Sequence, residues 1–411
     1  MTSEIIIMNK NCMAVAADSA ATIFPDNRVF YNKKKIFPLP PPHNIVFMIH
    51  NRLNLNSVPW ETIIGMYCAE IGKETFATPD CYLKGLLAFV IKNSRSFSHQ
   101  EKDMAWAYDA LNFLGRMASD ISHHFGNNNA MTGFSYRKNC LDYIQNAIAE
   151  LSDAQTCNGF RSNESLCLLV EKTLQDFGLD YLEQSLGLFS LTPDLYAKVF
   201  ELLTLMTAKD NYELGYTGLV CAGYGHQNIY PCVSHAHVGG IYFDNLKYSF
   251  LAKHDIDQTN QAEVIPIAST QTVSNLLKGV HPDYESYSLH ELKNTMEAFL
   301  EDLSIPNARR KAGYKLIDKH LSEYKGKMVQ HVLSEHVLPI IDNIKYLSED
   351  GLLDMAHALI EVTGMQSACG RERGNVGGET QSGILTKSDG FQWGKTTQTP
   401  QKTRQYEAVR I

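Results

Sequence analysis

The chain has 411 residues, 44% hydrophobic and 20% charged, a globular composition and a length that predicts one elaborated fold or two domains. Its formal net charge of -8 gives no general attraction to nucleic acid or anionic membrane, with Lys33-Lys34-Lys35 as the one basic run, and the best candidate span, Leu86 to Ile91, is far too short to cross a bilayer. Nine cysteines without a CxxC pair read as reduced thiols, and an N-terminus without a basic segment leading into an apolar one predicts a cytoplasmic protein.

Two apolar runs, Ile5 to Met8 and Cys12 to Ala17, flank Asn9-Lys10-Asn11 and predict a β-hairpin with its turn centred on Lys10. Reflection about that turn sets Thr2 opposite Asp18, a hydroxyl beside a carboxylate with Cβ atoms roughly 4.5 to 5.5 Å apart. Val29 to Phe37 and Asn44 to Ile49 predict a second strand pair around the loop Pro38-Leu39-Pro40-Pro41-Pro42. A helix then opens at Val58-Pro59-Trp60-Glu61 and runs to about Ile71, with Ile63, Ile64, Met66, Tyr67 and Ile71 at helical spacing.

From about Thr78 to Lys209 the pattern is helical, broken at Gly126-Asn127-Asn128-Asn129 and at Thr156 to Asn163, and reads as an insertion. Strands return at Leu219 to Ala222, Cys232 to His237, Gly240 to Phe243 and Val264 to Ser269, with Gly239-Gly240 and Asp244-Asn245 as turns. Ser288 to Asn343 is again helical. A further helix runs from Gly351 to about Met365, capped by Ser348 or Asp350, and VGGETQSGILTKSDGFQWGK forms a hairpin about Ser388-Asp389-Gly390 before a loose polar tail from Thr396.

Four stretches stand out in order: MAVAADSAAT, an acidic residue before small and polar ones; NKKKIF, a lysine before a strand; AEVIPIASTQT; and VGGETQSGILTKSDGF. With GLVCAGYGHQNIYPCVSHAHVGGIYF between them as a strand pair, the chain resembles proteasome β subunits and their bacterial relatives, which are N-terminal-nucleophile hydrolases. The resemblance implies an α+β fold, a four-layer αββα sandwich of two antiparallel sheets. Its core would lie in three parts, 1–77, 212–286 and 346–395, with helical insertions at 78–211 and 287–345 and a flexible tail at 396–411.

A threonine hydroxyl is a weak nucleophile until a base takes its proton, and a threonine that begins the chain carries that base as its own α-amine. Thr2 qualifies once Met1 is removed, and an amine of ordinary pKa about 7.7 to 8.0 needs little tuning. By the resemblance, Thr2 is the nucleophile, Lys35 the cation that lowers the amine's pKa, Asp18 the carboxylate that holds the lysine, and Thr272 a supporting hydroxyl. Strict counting from Thr2 gives Lys34 in place of Lys35. The family's oxyanion-hole glycine corresponds to Phe47 or Met48, and its second acidic residue and serine to Arg373 and Val376, with Glu372 beside Arg373.

The implied activity is a threonine hydrolase cleaving peptide or other amide bonds. An inactive proteasome-like scaffold and a small-molecule amidase are the alternatives. No cofactor or metal is expected: His235 and His237 share a strand face but lack an evident third ligand, and CAGYGHQ lacks the phosphate-loop pattern. The expected partners are a peptide or protein substrate and further copies of the chain, with neither nucleic acid nor membrane; whether an unfoldase is required is left open.

Overall fold

The structure, a computed structural model, describes residues 3–23, 28–125, 133–160, 164–177, 193–268, 270–303, 305–369 and 377–394. The polar break at 126–129, part of that at 156–163 and the tail from 396 lie outside these residues.

The first strands are β1 (Ser3–Asn9), β2 (Cys12–Ala17), β3 (Ala21–Ile23), β4 (Arg28–Phe30), β5 (Ile36–Pro38), β6 (Asn44–Asn51), β7 (Asn54–Leu55) and β8 (Val58–Pro59). Helices α1 (Trp60–Ile71), α2 (Pro79–Asn93), α3 (His99–Phe125), α4 (Gly133–Ser152), α5 (Glu164–Phe177) and α6 (Pro193–Ala208) follow. Strands β9 (Thr217–Tyr224), β10 (Cys232–Tyr242), β11 (Asn245–Asp255) and β12 (Ala262–Ala268) lead to helices α7 (Gln271–Lys278), α8 (Pro282–Asp302), α9 (Asn307–Val332), α10 (Leu338–Ile344) and α11 (Glu349–Cys369). The last described elements are β13 (Gln381–Thr386) and β14 (Gly390–Trp393). The protein is α+β, with two five-stranded antiparallel sheets ordered β12-β1-β2-β13-β14 and β11-β10-β9-β6-β5. Each sheet belongs to its own compact unit, one formed by Met1–Ile36, Ile229–Pro231 and Asp255–Ile411, the other by Phe37–Asn228 and Cys232–His254.

In the first unit, strand alternation puts Ile5 and Ile7 of β1 on the face that meets α11, where they join Ala14, Ala16 and Ile384 against Leu352, Ala356, Leu359 and Ile360. The register runs from Glu4↔Ala17 to Met8↔Met13. The turn is therefore the two residues Lys10-Asn11, fastened by Asn9 Oδ1, which accepts from the N–H groups of Asn11 (2.9 Å) and Cys12 (3.2 Å). This corrects the expected reflection about Lys10 by one residue: Asp18 meets Ser3 rather than Thr2, its N–H donating to the Ser3 carbonyl at 3.0 Å.

In the second unit, Ile45, Phe47, Ile49, Leu219, Cys221, Ala236 and Val238 form one sheet face beneath α1 and α2, where Trp60, Ile64, Tyr67, Leu83 and Leu86 cover them. Burial of each such large side chain contributes about 1.5 to 3 kcal/mol. Trp60 also donates its indole N–H to Thr217 Oγ1 at 2.9 Å. Helices α3 to α6 build a further core around Trp106, Leu114, Ile144, Val170 and Leu202, joined to the end of β10 by Tyr242 and Phe243. Asp109 Oδ2 ties the two together, accepting from Arg52 at 2.7 Å and from the Tyr242 hydroxyl at 2.6 Å.

Two strand expectations are corrected. The run Val29 to Phe37 is not one strand: β4 stops at Phe30, and β5 starts at Ile36 after a turn in which Asn32 takes φ 73°. Gly239-Gly240 is not a turn either, because β10 continues through it and the chain reverses at Phe243 and Asp244, with φ of 47° and 65°. A Cβ on Gly240 would lie 2.2 Å from the Tyr242 ring and one on Gly239 3.2 Å from Lys247, so these glycines make room for neighbouring side chains.

Glycines in two environments give opposite expectations. A Cβ on Gly225 would fall 2.1 Å from the backbone oxygen of Ala77, so Gly225→Ala should destabilise by about 1 to 3 kcal/mol. Gly65 is exposed inside α1 with nothing within 4 Å of its Cβ position, and Gly65→Ala should stabilise by about 1 kcal/mol. Urea unfolding of the two variants checks both signs.

Candidate functional site

A buried ion pair stands where β2 leaves the first sheet. Lys35 Nζ donates to Asp18 Oδ1 at 2.7 Å, and the two side chains are 0% and 2% exposed. A charge pair loses several kcal/mol of hydration per ion on burial, and recovers it only with good geometry and further hydrogen bonds. Asp18 has these. Its Oδ1 also accepts from Ser3 N–H at 2.8 Å, and its Oδ2 accepts from Ala20 N–H at 3.3 Å and Gly377 N–H at 3.1 Å. Four donors match the four lone-pair positions of one carboxylate.

Each donor is delivered by a distinct piece of local structure. Ser3 arrives through the β1–β2 register, and Ala20 through the chain's turn after Asp18. Gly377 and Gly378 take φ of 149° and 82°, values that favour glycine, and Gly377 O accepts Ala20 N–H at 3.0 Å. A Cβ on Gly378 would stand 2.6 Å from Ser19 Oγ. Lys35 is positioned by Gln381, the first residue of β13, whose Oε1 accepts Lys35 N–H at 3.3 Å while its Nε2 donates to the Lys33 carbonyl at 3.0 Å. Gln381 also lines a pocket of about 230 Å³ together with Lys34, Glu379, Thr380, Ser382, Trp393 and Gly394.

Glu4 and Gln381 were not singled out in the sequence. Glu4 occupies the sheet row Ile267, Glu4, Ala17, Gln381, on the face away from α11. It is 1% exposed, and among the described residues neither carboxylate oxygen has a hydrogen-bond partner; the same holds for the hydroxyls of Ser3 and Ser19. Burial holds the Glu4 carboxyl well above the ordinary carboxylate range, an effect lessened by Lys35 and reinforced by Asp18. The signal was present in EIIIM, where alternation places a lone acid on one face with Ile6 and Met8.

Of the expected site residues, the structure joins Asp18 and Lys35. Lys33 and Lys34 are exposed, and it is Lys35 that turns inward. Thr2 lies outside the described residues, as do Glu372, Arg373 and Val376. Thr272 is buried at the start of α7, but among the described residues it makes no hydrogen bond to Asp18, Lys35 or Ser3. Phe47 packs into the core under α1 and α2, edge-on to Tyr67, and Met48 points to the opposite sheet face.

His235 and His237 do acquire a histidine neighbour, His50 on β6, whose Nε2 lies 3.1 Å from His235 Nε2. That contact is a hydrogen bond between two ring nitrogens, and among the described residues no three potential ligands gather around one point. Burial, with smaller contributions from His237 and His254, pulls His235 down to about 4. No described helix is long and apolar enough to cross a membrane. The chain matches no protein-family model, and no curated protein is significantly similar to it.

Two expectations follow from the site's energetics. Asp18→Asn or Lys35→Met alone should cost about 3 to 5 kcal/mol, because each leaves an unpaired buried group, and the double variant should cost less than the sum of the two. Denaturant unfolding of the four proteins measures this. The unfolded chain releases the Glu4 proton near 4.5, while the folded chain keeps it to higher pH. Glu4 therefore withdraws stability as pH rises above about 4.5, and Glu4→Gln should gain in melting temperature over the wild type as pH is raised from about 4 to 8. An advantage that does not grow with pH would contradict the assignment.

Proposed function

We propose that the protein is a proteasome-like threonine hydrolase that cleaves peptide or other amide bonds, with Thr2 as its N-terminal nucleophile once Met1 has been removed. The observation that carries this reading is the buried Asp18–Lys35 pair fastened to Ser3, the residue that follows Thr2 in the chain. The four-layer αββα sandwich is the arrangement the reading implies. It is supported by two antiparallel sheets that each carry helices on one face and buried apolar residues on the other, Ile6, Met8, Met13 and Val15 in one and Val46, Met48 and Val220 in the other.

In this mechanism the α-amine of Thr2 takes the hydroxyl proton as Oγ attacks the amide carbonyl. The protonated amine then gives its proton to the leaving nitrogen, an ester on Thr2 remains, and a water deprotonated by the same amine releases the acid. Lys35 favours the neutral amine by like-charge repulsion, and Asp18 holds Lys35 and the Ser3 amide in one place. Gln381 and the Gly377-Gly378 turn act as positioning residues for that pair.

Intact-mass measurement of the purified protein, with and without an epoxyketone or β-lactone, tests the proposal. The expected result is loss of Met1 and a single adduct that Thr2→Ala abolishes, with labelling at least about 100-fold slower in Lys35→Ala. Retained Met1, a processed protein that takes no label, or labelling that survives Thr2→Ala would overturn it and favour a catalytically inactive scaffold.

A further inference from the structure

The helical segment between α7 and α10 has no role in the reading above. Helices α8 and α9, of 21 and 26 residues, contain no buried residue, although Tyr284, Tyr287 and Phe299 are 67%, 63% and 67% exposed and Leu316, Tyr324 and Val329 about half exposed. They nevertheless hold a defined register as a hairpin. Lys293 Nζ donates to Asp318 at 2.8 Å, the Tyr314 hydroxyl to Glu301 at 3.1 Å, and Leu300 sits so close to Gly313 that a Cβ there would be 2.6 Å from its Cδ2.

The charges of the two helices are opposite. In α8 six acidic residues face one basic residue, Lys293; in α9 seven basic residues face two acidic ones, Asp318 and Glu323. The hairpin is therefore an acidic rod beside a basic rod, a pattern complementary to its own copy turned through a two-fold axis. In that arrangement each acidic helix lies between two basic ones and the like-charged helices are diagonal. Tyr284 and Tyr287 lie seven and four residues before Glu291 on α8, and Val329 lies four residues after Lys325 on α9, so exposed apolar side chains accompany the charges on one side of the hairpin.

We propose that two copies of this chain associate through the α8–α9 hairpin, each acidic α8 packing on the basic α9 of the other copy. At 1.5 Å per residue the helices are about 32 and 39 Å long, and two side by side are about 20 Å wide. The face is thus about 600 Å² per copy, or about 1,200 Å² in total, at the lower end of specific interfaces. The inference does not depend on the hydrolase reading.

Light scattering of the full chain at about 10 μM tests it, with two charge-reversed variants. Lys311→Glu/Lys315→Glu/Lys325→Glu makes both helices acidic, and Glu291→Lys/Asp302→Lys shifts α8 towards positive charge; none of these residues takes part in the bonds that set the hairpin register. The expected result is a dimeric wild type, at least about a tenfold weaker self-association of each variant, and recovery of the dimer when the two variants are mixed. Recovery also demonstrates that both variants are folded. A monomeric wild type, association unchanged by the reversals, or variants with wild-type circular dichroism that fail to pair on mixing would overturn the proposal.

Discussion

The buried pair of Asp18 and Lys35 constrains the first unit more than any other interaction. Two ions without water require their full complement of partners, and Asp18 obtains its four from β1, from the bend after β2, from the lysine segment and from the glycine turn before β13. Moving any of these by one residue would leave a charge or a backbone N–H unsatisfied inside the protein. The register of the N-terminal hairpin, the left-handed turn at Gly377-Gly378 and the clamp by Gln381 are therefore parts of one solution.

Much of this was legible in the sequence. The hairpin, the acidic residue at its end and the helices from Trp60 and Glu349 follow from alternation, helical period and turn residues, whereas Lys35 was reached only through the family resemblance. The one-residue error in pairing Asp18 arose because Asn9 uses its side chain to close a two-residue turn, a geometry that composition alone does not distinguish from a three-residue one. Counting residues from Thr2 gave Lys34, whereas the structure turns Lys35 inward, the residue immediately before β5.

Other features could not be read locally. Gly239-Gly240 has the composition of a turn, yet it lies inside β10 because Tyr242 and Lys247 need the space that a Cβ would occupy. Alternation sets Glu4 on one face with Ile6 and Met8, but its burial depends on the sheet neighbours that β12 and β2 supply on both sides of β1. His50 meets His235 across 185 positions of sequence, a distance at which no pattern search along the chain connects them.

The separation between Asp18 and Gly377, 359 positions, bears on how the molecule comes into being. The central strands β1 and β2 of the first sheet leave the ribosome well before their neighbours β12 and β13, which begin at residues 262 and 381. The second unit has its sheet and helical cores within residues 37–254 and can acquire structure while synthesis continues. The first cannot seat its charges until Gly377 has been made, so a chain stopped before that residue would carry the lysine and the aspartate but not the backbone that reconciles them with burial. Formation of this charged interior thereby waits on a segment made long after the two ions it holds.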